Sequence, residues 1–185
     1  MRTRMLVATI AAAAATLAAC SNSDGADSSA DFNDADVAFA QEMIPHHRQA
    51  TEMAELAPSR TENSKVLELA EEIFAAQEPE IETMTGWLED WGQEVPESME
   101  GMDHSGMDSM PGMMSDEDMT ALEDSSGTAF DEMFLTMMVE HHEGAVEMAR
   151  TQQQDGQNPD AVSLAEEIEA TQMAEISQMR EMLGS

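Results

Sequence analysis

The sequence predicts an all-α domain, a four-helix bundle built from two repeated helical hairpins. Three observations predict it: an ungapped internal repeat, apolar stripes at helical spacing, and capping residues at the helix ends. Shifting the chain by 95 positions, the offset from His46 to His141, aligns 33–88 with 128–183 at about twenty identical positions. Asp36, Phe39, Met43, His46, His47, Ala50 and Met53 recur as Asp131, Phe134, Met138, His141, His142, Ala145 and Met148. Further along, Asn63, Leu69, Ile73, Gln77, Glu80 and Met84 recur as Asn158, Leu164, Ile168, Gln172, Glu175 and Met179, with Leu69 matched by Leu164. Each copy is long enough for two helices, and neither can bury its apolar face alone.

The first helix is expected over about 34–58. Phe39, Met43, His46, Ala50, Met53 and Ala57 step by three and four, so they share one stripe. Asn33 stands at the N-cap position with Asp36 three residues on. The second helix is expected over about 63–91, capped by Asn63 and closed by Gly92. The third, over about 128–152, repeats the stripe as Phe134, Met138, His141, Ala145 and Met148, with Thr128 in the cap position and Asp131 behind it. The fourth, over about 159–183, starts from Asn158 with Pro159 at the first helical position, where a missing N–H costs nothing, and ends at Gly184. Pro45 and Pro79 each remove one ladder hydrogen bond and are expected to kink or locally open their helices. Few β-branched residues, no Tyr and no alternating pattern argue against a sheet.

The chain divides into five stretches. Residues 1–19 read as a signal peptide: Arg2 and Arg4 precede an apolar run too short to span a bilayer, which ends in Leu17-Ala18-Ala19. Cys20, the single cysteine, then sits where a bacterial lipobox carries its acylated thiol, so the chain is expected to be exported and anchored by lipid to the outer face of the membrane. Residues 20–31 form a polar tether, 32–92 the first hairpin, 93–127 an acidic Met-rich linker, and 128–185 the second hairpin, the two hairpins making one domain. With 39 acidic against 7 basic residues the net charge is −32, which excludes nucleic acid as a partner and draws cations.

The candidate chemistry lies in the histidines and methionines. Four of five histidines form the repeated pairs His46-His47 and His141-His142, with His46 and His141 on the apolar stripes and His47 and His142 at their edges. A structural reading makes the stripe histidines His46 and His141 hydrogen-bonded core residues, partnered by Glu71, Glu72 or their repeats. Against it stands the spacing: Met43 or Met138 lies one turn before each pair, and Met53 or Met148 two turns after. Imidazole suits several transition metals, whereas a thioether selects soft ions such as Cu(I) or Ag(I), so the mixture points to copper. Met84, Met133, Met137 and Met179 need no more than core packing to explain them. The linker adds Met99, Met102, His104, Met107, Met110, Met113, Met114 and Met119 among Gly, Ser, Asp and Pro, where no packed helix is expected to need them. Thioethers stay ligands where thiolates would be oxidised.

The segment Met43-Ile44-Pro45-His46-His47, followed by Ala50 and Met53-Ala54, resembles the signature of the bacterial domain-of-unknown-function 305 family. Met138 to Ala149 resembles it again, with Glu140 where the first copy has Pro45. The similarity runs from Asp36 to Leu183. It implies a ferritin-like four-helix bundle exported to the cell envelope. It also implies, at the matching positions Met43, His46, His47, Met53, Met138, His141, His142 and Met148, ligands of the kind some members use for copper. Met102-Asp103-His104-Ser105-Gly106-Met107 is similar to the Met and His motifs of exported copper- and silver-binding proteins.

Three functions of different classes follow as expectations. The first is a non-enzymatic protein that binds Cu(I) for buffering, storage or handover to a metal-exchange partner. A ferritin-like di-metal oxidase would need Glu-x-x-His motifs, yet no Glu stands three residues before any histidine of the two pairs. A metal-free structural module would use the histidines only to organise its core.

Overall fold

The computed structural model describes residues 31–96 and 110–184. Among them are five helices and no strand: α1 (Asp34–Arg60), α2 (Ser64–Asp90), α3 (Asp116–Asp124), α4 (Thr128–Asp155) and α5 (Pro159–Leu183). The fold is all-α, as the repeat predicts. α1 pairs with α2 and α4 with α5, while the hairpins meet chiefly through α1 and α4.

Capping chemistry sets most of the ends. Asn33 and Asp36 form a full capping box on α1; Asn63 and Asn158 accept backbone N–H bonds at α2 and α5. Gly92 and Gly184 follow α2 and α5 with φ of 66° and 75°, a conformation that suits glycine. The start of α4 differs from the sequence expectation. Its N-cap is Gly127, which makes no side-chain cap, and Thr128 is the first helical residue. The Gly127 N–H instead donates to the Arg60 carbonyl at 2.7 Å, so the end of α1 holds the start of α4. α1 and α2 run unbroken through Pro45, Pro58 and Pro79, so no helix opens at these prolines.

The additional helix, α3, lies inside the stretch expected to be linker. Ser115 and Asp118 close a capping box, and Leu122 is fully buried in the core. Met114 and Met119 pack against that same core. These two methionines therefore have a packing role, contrary to the expectation that no packed helix needs them. The signal was Ser-x-x-Asp ahead of Met119 and Leu122, overshadowed by the surrounding glycines and acids.

Two apolar clusters fill the bundle, and each draws on α1, α2, α4 and α5. One holds Met53, Leu69, Ile73, Phe134, Met138, Ile176 and Met179. The other holds Phe39, Met43, Met84, Leu88, Met148 and Ile168. Met43 thus shares a cluster with Met148, and Met53 with Met138: opposite turns of the two stripes meet, as antiparallel α1 and α4 require.

The hairpins are stapled at their ends by carboxylates. Asp36 is fully buried; it accepts from its own cap N–H on Asn33 at 2.8 Å, from Gln152 Nε2 at 2.5 Å and from the backbone N–H groups of Gln157 and Asn158 at 3.1 and 3.0 Å. Its repeat partner Asp131 accepts from Asn63 Nδ2 at 2.9 Å, reaching the other interhelical loop. Removing a buried acceptor of this kind strands several donors, each worth about 1–3 kcal/mol. Asp36→Ala is therefore expected to lower stability by about 3 kcal/mol or more, read as a lower urea midpoint at unchanged slope. A midpoint within error of the parent would show that the staple contributes nothing.

Candidate metal centre

Between the two apolar clusters lies a layer of polar side chains. Along α1 it follows Met43 and Ile44 and precedes Ala50 and Met53. His46, His47, His141 and His142 all have zero exposure, and Gln77 and Gln172 are almost as buried. Glu80 and Glu175 complete the set at the layer's margin. All eight stand at repeat-related positions, so the layer is built twice, once by each hairpin.

The rings make specific contacts. His46 and His141 meet across the α1–α4 seam with centroids 3.7 Å apart and planes tilted by 40°. His47 Nε2 bonds to Glu80 Oε2 at 2.7 Å, and His142 Nε2 bonds to Glu175 Oε2 at 2.8 Å. His46 Nε2 donates to the Pro111 carbonyl at 3.0 Å. This departs from the sequence expectation in two ways. His47 and His142 are as buried as His46 and His141 rather than marginal, and no carboxylate bonds to the stripe histidines: Glu71, Glu72, Glu166 and Glu167 are exposed, while Glu80 and Glu175 bond to His47 and His142. Glu80 and Glu175 were visible as matching residues of the repeat, but only the tertiary fold brings each to an imidazole 33 residues away.

Every one of these rings keeps a nitrogen without a partner. The Nδ1 atoms of His46, His47 and His142 are buried and unbonded, as are both nitrogens of His141. Both amide atoms of Gln77 and the Gln172 carbonyl oxygen share that state. A buried polar atom left unpaired costs about 1–3 kcal/mol, so a core that collects this many requires an explanation. Burial pushes the His46 pKa down to about 3, reinforced by the neighbouring His47 and, more weakly, His142, and opposed by the Pro111 hydrogen bond. His141 is also held well below the usual histidine range, first by burial and then by His46, His142 and His47, with a small opposing pull from the His46 backbone. Both rings are neutral at physiological pH, the protonation state in which imidazole ligates metals.

The donor chemistry fits a soft ion better than a hard one. A ligating histidine commonly donates its other N–H to a carboxylate or carbonyl, which fixes its tautomer. The contacts of His46, His47 and His142 have that form. Met43, Met53 and Met138 are fully buried and Met148 nearly so, in the clusters flanking the rings. Among the described residues no three His, Cys, Asp or Glu side chains stand together closely enough to hold one ion. That holds for the four histidines as for the carboxylates, so an ion in this layer would draw on no more than two of these side chains as they stand and on thioether sulfur for the rest. Cys20, Met99, Met102, His104 and Met107 lie outside the described residues.

Comparison with known proteins gives concordant results. The model of the family described as a domain of unknown function, DUF305, matches residues 36–183. A DUF305 protein from Streptomyces coelicolor, described as secreted, is 32% identical with a TM-score of 0.72; the similarity covers 81% of this chain and 92% of that one. A DUF305 fragment from Deinococcus radiodurans is 30% identical with a TM-score of 0.73, covering 82% and 97%. CopM in its Cu(I)-bound form is 32% identical with a TM-score of 0.65, covering 80% and 94%, and CopM has also been solved in Cu(II)-bound and Ag-bound forms. No curated protein matches the chain.

Proposed function

Since this chain belongs to the DUF305 family, we propose that it binds a soft metal ion, Cu(I) foremost, as cargo for buffering, storage or handover in the cell envelope. The observation that carries the reading is the buried imidazole layer, in which four rings keep unpartnered nitrogens between two apolar clusters that hold buried thioethers. His46, His47, His141 and His142 are the nitrogen donors, and Met43, Met53, Met138 and Met148 the sulfur donors. CopM supports the choice of metal, since that relative has been solved with Cu(I), Cu(II) and Ag. Copper is the cargo, so no reaction is assigned to the protein.

The outlying residues extend the same reading. Met102, His104 and Met107 offer a second, linker-borne set of soft donors. Lipidation of Cys20 would hold the domain at the outer face of the membrane, and the secreted relative is consistent with export. No helix among the described residues is long and apolar enough to cross a membrane. A net charge of −32 raises the local concentration of cations around the domain, at close range under physiological salt. A metal-exchange protein would deliver or receive the ion.

The test is a Cu(I) titration of the full chain against a competing chelator, beside a variant with all five histidines replaced. The parent is expected to bind at least about 100-fold more tightly, the scale on which the loss of ligand support is felt. Equal binding by the two would end the assignment.

A further inference from the structure

His46 and His141 occupy the same place in the two repeats, yet their surroundings differ. The difference traces to a single repeat position, Gln49 in α1 and Gly144 in α4. Gln49 is buried and grips the backbone of Met114 at both polar groups: its Nε2 donates to the Met114 carbonyl at 2.9 Å, and its Oε1 accepts from the Met114 N–H at 2.8 Å. Gly144 leaves room on the other side of the seam. A Cβ there would fall 2.0 Å from the Pro111 oxygen and 2.4 Å from its carbonyl carbon, a clash with backbone that no side chain could relieve. Gly112 is equally constrained, with φ of +76° and the α4 backbone 2.7 Å from where its own Cβ would stand.

Residues 110–114 therefore lie as a strap across α1 and α4, fastened by Gln49 and admitted by Gly144. The strap delivers the Pro111 carbonyl to His46 Nε2 at 3.0 Å. A carbonyl can only accept, so His46 must carry its proton on Nε2 and its lone pair on Nδ1. Nε2 of His47 and of His142 likewise faces an oxygen, that of Glu80 and Glu175, a partner that favours the proton on Nε2. No bond of ordinary hydrogen-bond geometry reaches His141, whose nitrogens are both unpartnered; only the His46 backbone exerts a weak pull on it.

We propose that Gln49 and Gly144 are positioning residues of the metal centre: together they seat the strap whose Pro111 carbonyl fixes the His46 tautomer and so selects Nδ1 as its ligating atom. The purpose of this arrangement rests on the metal-binding reading above. Three of the four rings then present the same pre-set donor atom, and His141 is the one free to choose. Within a duplicated fold, the asymmetry comes from the connection between the copies and from one residue pair that treats it differently.

The tautomer can be read without any metal, from the ring 15N resonances of the full apo chain at neutral pH. In the parent, His46 is expected to show an unprotonated Nδ1 and a protonated Nε2, as are His47 and His142. Q49A removes the fastening and G144A displaces the strap by an independent route. In either variant the His46 nitrogens are expected to move toward averaged, two-tautomer positions, while those of His47 and His142 stay in place. Should G144A fail to fold, Q49A decides alone, since it only deletes side-chain atoms. An Nδ1-protonated His46 in the parent, or an unmoved His46 in Q49A, would overturn the proposal. A separate Cu(I) titration of Q49A is expected to show affinity lowered about 10- to 100-fold, the usual effect of removing support behind a ligand. A parent that binds no Cu(I) would remove the proposed function but leave the tautomer result intact, so the two failures are distinguishable.

Discussion

In the double variant H46L/H141L the metal-free protein is expected to melt higher than the parent, and Cu(I) is expected to lose its effect on the midpoint. Leucine brings no polar atom into a layer where His46 Nδ1 and both nitrogens of His141 have no partner. Relief of about 1–3 kcal/mol for each of these three atoms outweighs the one Pro111 carbonyl that loses its donor, a cost of the same size. A net gain of about 2–6 kcal/mol corresponds to a midpoint rise of roughly 4–24 °C for a chain of this size. In the parent, free Cu(I) at a thousand times its dissociation constant stabilises the native state by about 4 kcal/mol, a shift of similar size that the variant cannot show. The combination is diagnostic, because a module that used its histidines only for packing would gain from leucine but would never respond to copper. Persistence of the full copper shift in H46L/H141L would remove both rings from the site.

Acid is expected to destabilise the metal-free parent more steeply than H46L/H141L. In the folded chain the His46 pKa is lowered to about 3 and that of His141 is also well below normal, whereas in the unfolded chain both rings titrate near 6.5. The unfolded state therefore takes up protons first. The stability that depends on these rings staying neutral is fully present above pH 6.5 and is lost as pH falls through the window down to about 3 for His46. His46 contributes a slope of about 1.4 kcal/mol per pH unit inside that window, and His141 acts in the same direction. Falling pH also neutralises carboxylates on a chain of net charge −32, which relieves repulsion and offsets part of the loss. The difference between parent and variant isolates the rings, since both carry the same carboxylates. Chemical denaturation at pH 6.5 and 4.5 should find the parent losing more than the variant, about 2 kcal/mol from His46 alone with His141 adding to it in the same direction. Parallel curves would mean that the buried rings do not resist protonation.

Much of the architecture was legible in the residues because duplication makes a weak pattern visible twice. The stripe from Phe39 to Met53 would be ambiguous alone; its return from Phe134 to Met148 gives two helices with one meaning. Caps were readable where a side chain satisfies its own helix, as at Asn33, Asn63 and Asn158, and were misread at Thr128, where a carbonyl from α1 takes over. α3 was missed because nine residues carry too few turns for periodicity to register, and Leu122 alone anchors it in the core.

For the candidate site, the sequence by itself singled out the candidates and their burial: two histidine pairs, their flanking methionines and an apolar stripe that must bury them. Those are properties of local spacing, and local spacing is what a helix preserves. Only the tertiary structure decided that His46 and His141 meet at 3.7 Å, that Glu80 and Glu175 hold the outer rings, and that Pro111 is carried onto one imidazole of the central pair. These choices depend on how two hairpins and a connecting strap close on each other across 33 to 95 residues of chain. No period within one helix encodes that closure; it is settled by the summed packing of both apolar clusters against the polar layer between them.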